Sequence, residues 1–233
     1  LCLGQLVRMQ EEIGTGGERM QIFDLRALTL IHNNTLDDAD ADVWGELMML
    51  FSAAIAEAED NAFAVGAGHE SPQGVLAHSG LTKVKSGVAG ALTDSTHKGF
   101  DRMISALYGL KKTYRRNATW AFNSNTEAVL RTLKDGNDQY LWQPPVQAGA
   151  PATLLGRPII NPEGMPDIAA NAVPIVIGDW RRGYKIRDRR GITVQRLVER
   201  YAEYDQTGFM IKRRVGGQCV LPEAFKGVQI AAD

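Results

Sequence analysis

The stretch from Thr35-Leu36-Asp37-Asp38 through Ala56-Glu57-Ala58-Glu59-Asp60-Asn61-Ala62-Phe63-Ala64-Val65 to Gly66 decides the reading of this chain. Apolar side chains recur at Leu36, Val43, Leu47, Leu50, Phe51, Ala54, Ile55, Ala58 and Ala62, close to the 3.6-residue period of an amphipathic helix. Thr35 offers a capping hydroxyl, and Asp37, Asp38, Asp40 and Asp42 put negative charge at the positive end of the helix dipole. Gly66 and Gly68 stop the helix after Val65. At about 1.5 Å per residue, the helix predicted over 35–65 spans roughly 45 Å. A rod of that length in a chain of 233 residues acts as a spine along which other elements lie.

Outward from the spine, the pattern changes. Upstream, Ile22–Ile31 alternates loosely among strand formers and predicts a strand, while 1–21, with Gly14-Thr15-Gly16-Gly17, reads as an irregular or hairpin-like extension. Downstream, 66–97 reads as loop with short strands. A helix is predicted over 98–115 from Phe100, Met103, Ile104, Leu107 and Leu110. Ala118–Asn123 reads as a short buried strand, and Thr126–Lys134 as a helix stopped at Asp135-Gly136-Asn137. Prolines then punctuate strands near 155–161 and 174–178. The tail alternates at Tyr184, Ile186, Ile192 and Val194 and again over Gly208–Val215. Without a repeat or a βαβ rhythm, the class is α+β.

Composition narrows the function. Hydrophobic residues at 44% and charged residues at 23% allow a packed core and argue against disorder. A net charge of −1 lacks the basic excess of a dedicated nucleic-acid binder, and it limits self-repulsion among many packed copies. No apolar run reaches about 18 residues, so no membrane helix is expected. Cys2 and Cys219 form no CxxC pair and read as thiols of a reducing cytoplasm.

Motifs for catalysis fail on inspection. Gly14-Thr15-Gly16-Gly17 is not followed by the Lys-Ser/Thr of a phosphate loop, and Gly66-Ala67-Gly68 ends a helix where a dinucleotide fingerprint opens one. His69-Glu70 has Gln73 where a zinc protease needs its second histidine, and His32, His69, His78 and His97 share no ligand spacing. The aspartates at 37–42 lack the turn glycine of a calcium loop. No metal, cofactor or catalytic residue is expected. Two basic runs remain, Arg181, Arg182, Lys185, Arg187, Arg189 and Arg190, then Lys212, Arg213 and Arg214. They read either as solvated strand faces or as inter-subunit ion-pair partners, with Asp179 and Asp188 interleaved. Direct DNA binding is disfavoured by the sparse aromatics.

Several stretches, in order, resemble the major capsid proteins of tailed bacteriophages, the Hong Kong 97 type. The spine helix ending at Gly66 and followed by Ser71-Pro72-Gln73-Gly74-Val75-Leu76 is one. Tyr114-Arg115-Arg116-Asn117-Ala118-Thr119-Trp120-Ala121-Phe122-Asn123, Leu133-Lys134-Asp135 and Tyr140-Leu141-Trp142-Gln143-Pro144 form another. Leu154-Leu155-Gly156-Arg157-Pro158-Ile159, Met165-Pro166 and Ile175-Val176-Ile177-Gly178-Asp179-Trp180 with Gly183-Tyr184 form a third. Arg213-Arg214-Val215-Gly216-Gly217 and Pro222-Glu223-Ala224-Phe225 complete the set, which covers 22–76 and 114–228.

The resemblance implies a Hong Kong 97-like fold. Residues 1–21 would be part of the extended loop, 22–75 a peripheral domain with the spine helix, 76–186 an axial domain, 187–216 further peripheral strands and 217–233 the axial C-terminal segment. No segment matches the family's N-terminal arm or scaffolding segment. The implied function is mechanical: a non-enzymatic subunit forming hexamers and pentamers of an icosahedral shell around double-stranded DNA. Its partners would be itself, a portal protein, scaffold, maturation protease and decoration proteins, with DNA held non-specifically and no membrane, in the virion and, during assembly, the host cytoplasm. Contact surfaces are expected at the basic runs, at Trp142, Glu199 and Arg200, and in the loops 136–151 and 199–208. Some family members weld subunits through a Lys–Asn isopeptide bond. Residues 1–82 hold no lysine and no asparagine follows Asn171, so a non-covalent shell is expected. Rival readings are a gene transfer agent head, an encapsulin-like shell, a tail or baseplate protein and a cytosolic α/β enzyme.

Overall fold

The computed structural model describes residues 7–8, 20–37, 43–93, 99–134, 137–142 and 152–232. In chain order its elements are β1 (Val7–Arg8), β2 (Phe23–His32), α1 (Asn33–Asp37), α2 (Val43–Val65) and β3 (Thr82–Ala89). Then come α3 (Gly99–Tyr108), α4 (Lys112–Arg115), β4 (Thr119–Ala121), α5 (Ser124–Arg131), β5 (Thr153–Leu154) and β6 (Arg157–Ile160). The chain closes with β7 (Ile175–Gly178), α6 (Trp180–Gly183), β8 (Tyr184–Leu197), β9 (Gln206–Cys219) and β10 (Phe225–Ala231).

Two sheets organise these elements. One is antiparallel, in the order β1-β2-β9-β8, and its two longest strands form a hairpin around a 3-10 turn at Glu199–Tyr204. The other has six strands in the order β3-β10-β7-β4-β6-β5, with β10 parallel to β3 and β4 parallel to β6. β1 pairs antiparallel with Asp24 and Phe23 of β2, while 1–6 and 9–19 of the expected irregular or hairpin-like extension lie outside the described residues.

The spine helix lies on the first sheet because its apolar stripe has somewhere to go. Leu47, Phe51 and Ile55 are buried against Leu25, Phe209 and Ile211. Trp44 adds a tilted ring contact to Phe209 at 5.6 Å. The helix is shorter than expected. Thr35 sits inside α1 instead of capping the spine, and α2 begins at Val43, giving 23 residues or about 34 Å. α1 follows β2 directly because Asn33 is anchored at the start of β9. Its backbone N–H donates to Asp205 O (3.0 Å), its Nδ2 donates to Asp205 Oδ1 (2.7 Å), and Thr207 Oγ1 donates to its Oδ1 (2.7 Å). Asp38, Asp40 and Asp42 lie outside the described residues.

The stop after Val65 is a backbone clamp. A Cβ on Gly66 would fall 2.1 Å from Pro72 O, and one on Gly74 would fall 2.5 Å from Ala64 O. That closeness lets Gly74 N donate to Gly66 O (2.8 Å) and Val75 N to Phe63 O (3.0 Å). The turn is also tied to both strands of the long hairpin: Gln73 N donates to Gly217 O (2.9 Å), and Tyr184 Oη donates to Gln73 O (2.9 Å). Around it packs a core of Ala64, Val75, Tyr184, Cys219 and Phe225, where the two sheets meet.

The six-stranded sheet holds the largest core, with Trp120, Phe122, Ile175, Ile177, Val228 and Ile230 covered by Met103, Ala106 and Leu107 of α3 and Leu130 of α5. The helix expected over 98–115 is two, α3 and α4. Leu110 breaks the register by turning into that core (3% exposed) behind Gly109. α5 starts earlier than expected because Asn123 caps it, its Oδ1 accepting from Thr126 N at 2.8 Å. Its side chain is buried, and Nδ2 donates to Met165 O (3.1 Å) and Asp167 Oδ1 (2.7 Å). β10 has no counterpart in the sequence reading.

Candidate assembly surfaces

The parallel pair β4–β6 gives the second sheet two unlike ends. Both strands start at one end. There Arg116 precedes β4, Arg157 opens β6, and α4 contributes Lys112 and Arg115, all lining one cleft together with Arg182. β7 runs antiparallel to β4, so its C-terminal end delivers α6 to the same place. Thr119 pairs with Gly178, and Trp180 Nε1 donates to Thr119 O at 3.1 Å. Arg181, Arg182 and Lys185 line an adjoining cleft. Opposite charge is scarce here. Asp179 is buried, its carboxylate accepting from Arg182 N (3.2 Å) and lying 3.8 Å from Arg182 Nε. Glu223 is taken up by Lys111 (2.5 Å) and by the Tyr114 hydroxyl (2.6 Å), whose hydrogen bonds hold its carboxyl below the usual range.

At the other end of β6, Asn161–Gly164 meets the C-terminal half of the spine helix, and the charge is negative. Glu57, Asp60 and Glu163 line one cleft, with Asp60 Oδ2 accepting from Gly164 N at 3.0 Å. Glu163 accepts from the Ser124 hydroxyl. Asp167 accepts from Asn123 and Asn125, which lower its pKa, Asn125 more. Of the residues at the basic end, the sequence pointed to Arg181, Arg182 and Lys185 as contact residues and not to Lys112, Arg115, Arg116 and Arg157. The adjacent basic pairs Lys111-Lys112 and Arg115-Arg116 were a visible signal, whereas Arg157 joins them only through the strand pairing.

The second basic run is placed differently from the first. Arg213 lies between the spine helix and β8. Its Nη2 bonds Asp188 Oδ2 at 2.8 Å, and its Nε lies 2.9 Å from Glu59 Oε1 while directing its hydrogen to Asp188 Oδ1 (3.3 Å). Burial pushes the Glu59 carboxyl up, Arg213 pulls it down and Asp188 pushes it up, leaving it above its ordinary range. Arg214 Nε bonds Asp24 Oδ1 at 2.7 Å, and Arg26 meets the other oxygen at 3.1 Å. Arg213 and Arg214 are thus engaged within the subunit. On β8, Lys185 and Arg187 share one face, Arg189 falls in the bulge between Asp188 and Arg190, and all three are exposed, whereas Tyr184 is turned inward, its ring edge-on to Phe63. Lys212 is half-buried, and the Arg190 side chain lies outside the description.

Trp142 departs from the expectation of a contact residue. It is 7% exposed within the large core, donates from Nε1 to Thr153 O (2.9 Å), and carries the Arg131 guanidinium over its ring at 5.5 Å. Its amphipathic ring is therefore satisfied inside the subunit. Residues 143–151 of the expected contact loop lie outside the described residues. Glu199 and Arg200 are exposed at the tip of the β8–β9 hairpin, beside exposed Val198 and Tyr204. Away from the sheet the spine helix also exposes apolar side chains: Met49 is 75% exposed and Leu50 50%.

Among the described residues, no group of three or more His, Cys, Asp or Glu side chains is arranged to hold a metal, and no helix is long and apolar enough to cross a membrane. A spine helix crosses one sheet, a second sheet lies beyond it, and apolar side chains are left exposed. The chain belongs to the Phage capsid family, whose model matches residues 9–230. No curated protein sequence matches it. Among solved structures, the capsid of an empty GTA particle is 29% identical with a TM-score of 0.81, covering 99% of this chain and 86% of the other. A chain from Microbacterium phage Oxtober96 is 16% identical at TM-score 0.69, covering 97% and 84%. The SrpI encapsulin of Synechococcus elongatus is 13% identical at TM-score 0.65, covering 91% and 75%. The last two likenesses establish the fold, which is the Hong Kong 97-like capsid fold.

Proposed function

We propose that this chain is the major head protein of a tailed phage or prophage, and that its copies close into hexamers and pentamers of an icosahedral shell around double-stranded DNA. It works mechanically, without catalysis. Portal, scaffold, maturation protease and decoration proteins are its expected partners, in the host cytoplasm during assembly and in the virion afterwards. The observation that carries the reading is the outward face of the spine helix. A side chain as large as Met49 at 75% exposure, next to Leu50 at 50%, is apolar surface awaiting a neighbour. Obligate contacts of this kind bury on the order of 2,000 Å² or more. The 29% identity over 99% of the chain to a GTA capsid supports a second reading, the head of a gene transfer agent.

Negative-stain electron microscopy of the expressed protein tests the proposal. Closed shells are expected from the wild type, and folded, unassembled subunits from Met49→Glu/Leu50→Glu. Tubes, or a monomer at every concentration, overturn it. Sequencing of the packaged DNA separates phage genome from random host fragments.

A further inference from the structure

We propose that neighbouring copies in a ring meet head to tail through the opposite ends of the β4–β6 pair, the basic end of one copy seated against the acidic end of the next. The proposal rests on the assembly reading and specifies which surfaces close the ring. Because the two strands are parallel, everything that precedes them gathers at one end and everything that follows them at the other. β6 itself separates the ends by four residues, about 13 Å at 3.3 Å per residue. The first end gathers Lys112, Arg115, Arg116, Arg157, Arg181 and Arg182. The second gathers Glu57, Asp60, Glu163 and Asp167.

Neither end is neutralised from within. Among the described residues, Lys112, Arg116 and Arg181 have no carboxylate partner, and Glu57 has no cation. Glu163 and Asp167 receive only a hydroxyl and amides, and Arg131 beyond them is held by Glu127. The chain as a whole has a net charge of −1, so the two patches are a segregation of charge and not an excess of either sign. A nucleic acid complements only the first patch and is repelled by the second. A partner that complements both is another copy of this chain. Unlike ends attract and like ends repel, which rejects a two-fold contact of either patch with itself and favours the heterologous contact that closes rings.

The test uses two charge-reversed chains. Lys112→Glu/Arg116→Glu/Arg181→Glu/Arg182→Glu leaves only Arg115 and Arg157 positive at the first end and so makes both ends negative, and Glu57→Lys/Glu163→Lys/Asp167→Lys leaves only Asp60 negative at the second and so makes both positive. All seven side chains are exposed, and circular dichroism checks that each variant folds. Each variant alone is expected to assemble at least about tenfold less than wild type at low salt. Mixed in equal amounts they regain complementarity in strict alternation, so rings of even number return while rings of five do not. The swap of all seven residues on one chain restores both. Either variant assembling alone like wild type, or folded variants that fail to complement, overturns the pairing. Variants that assemble normally but lose co-purifying nucleic acid overturn it in favour of a nucleic-acid surface. Wild-type protein that forms no ring or shell overturns the assembly reading, and this pairing with it.

Discussion

Replacing Arg213 by Met removes the cation that joins the spine helix to the β8–β9 hairpin and keeps most of the side-chain volume. Removing one partner of a fully buried pair costs about 3–5 kcal/mol, whereas exposed pairs contribute about 1 or less. The Glu59 side chain is 13% exposed and Arg213 23%, so the loss falls between these limits. After discounting for solvent, Arg213→Met should cost about 2 kcal/mol at pH 7, with the half-exposed Asp188 adding a few tenths. For a chain of this size that lowers Tm by roughly 4–8 °C. The cost depends on pH with a defined sign. Glu59 titrates higher in the folded protein than a glutamate's ordinary 4.5, so its folded form holds a proton to higher pH than its unfolded form does. Its charge therefore opposes folding increasingly as pH rises from the ordinary value through the raised one. Arg213 is the group that lowers this pKa, and without it the opposition grows. The difference between wild type and variant should thus be largest at pH 7 and shrink towards pH 4.5, and Glu59→Gln added to Arg213→Met should recover much of the loss. Urea denaturation of unassembled subunits from pH 4.5 to 7.5 measures it. An equal difference at every pH, or a double variant no more stable than the single one, refutes the account.

Asn123→Ala removes a buried cap and leaves Thr126 N and Met165 O without their partner, and should cost about 2 kcal/mol in the same assay. Gly183→Ala places a methyl 2.2 Å from Phe225 Cε2, on a ring already packed edge-on to Trp180, so overpacking should cost about 1–3 kcal/mol and alter the near-ultraviolet circular dichroism. Mature particles should run as a single band on denaturing, reducing gels, because residues 1–82 lack lysine and no asparagine follows Asn171; a ladder of bands contradicts this. In hydrogen exchange, the amides of Gln73, Gly74 and Val75 should open only with global unfolding, and those at the 199–204 tip well before it.

How much was legible depended on how far each contact reaches along the chain. The spine helix could be read because a 3.6-residue period and a terminal glycine are local signals. The same holds for β2, β4 and β7. The tail was read as separate strand-like pieces, because the bulges at Asp188–Arg190 and Arg190–Thr193 interrupt the alternation of what is one 14-residue strand. β10 was missed because it takes its place between β3 and β7, elements more than 45 residues away, and its glycine and glutamine dilute the pattern. The surfaces divide in the same way. Exposed Lys185, Arg187 and Arg189 followed from the run of basic residues. That Arg213 and Arg214 are held by Glu59, Asp188 and Asp24 depends on packing between elements distant in sequence. Trp142 looked like an anchor for a neighbour because nothing local discloses that Thr153 O lies within reach of its indole.

The clamp at the end of the spine has a consequence for how such subunits tile a curved surface. Helix end, turn, β8 and β9 are stitched through Gly66, Gln73, Val75, Tyr184 and Gly217 at the point where the two sheets adjoin. A hinge there would have to break several main-chain hydrogen bonds at once. The monomer therefore behaves as a stiff tile. In the proposed shell, differences in angle between five-fold and six-fold vertices are then absorbed at the joints between tiles and not within them.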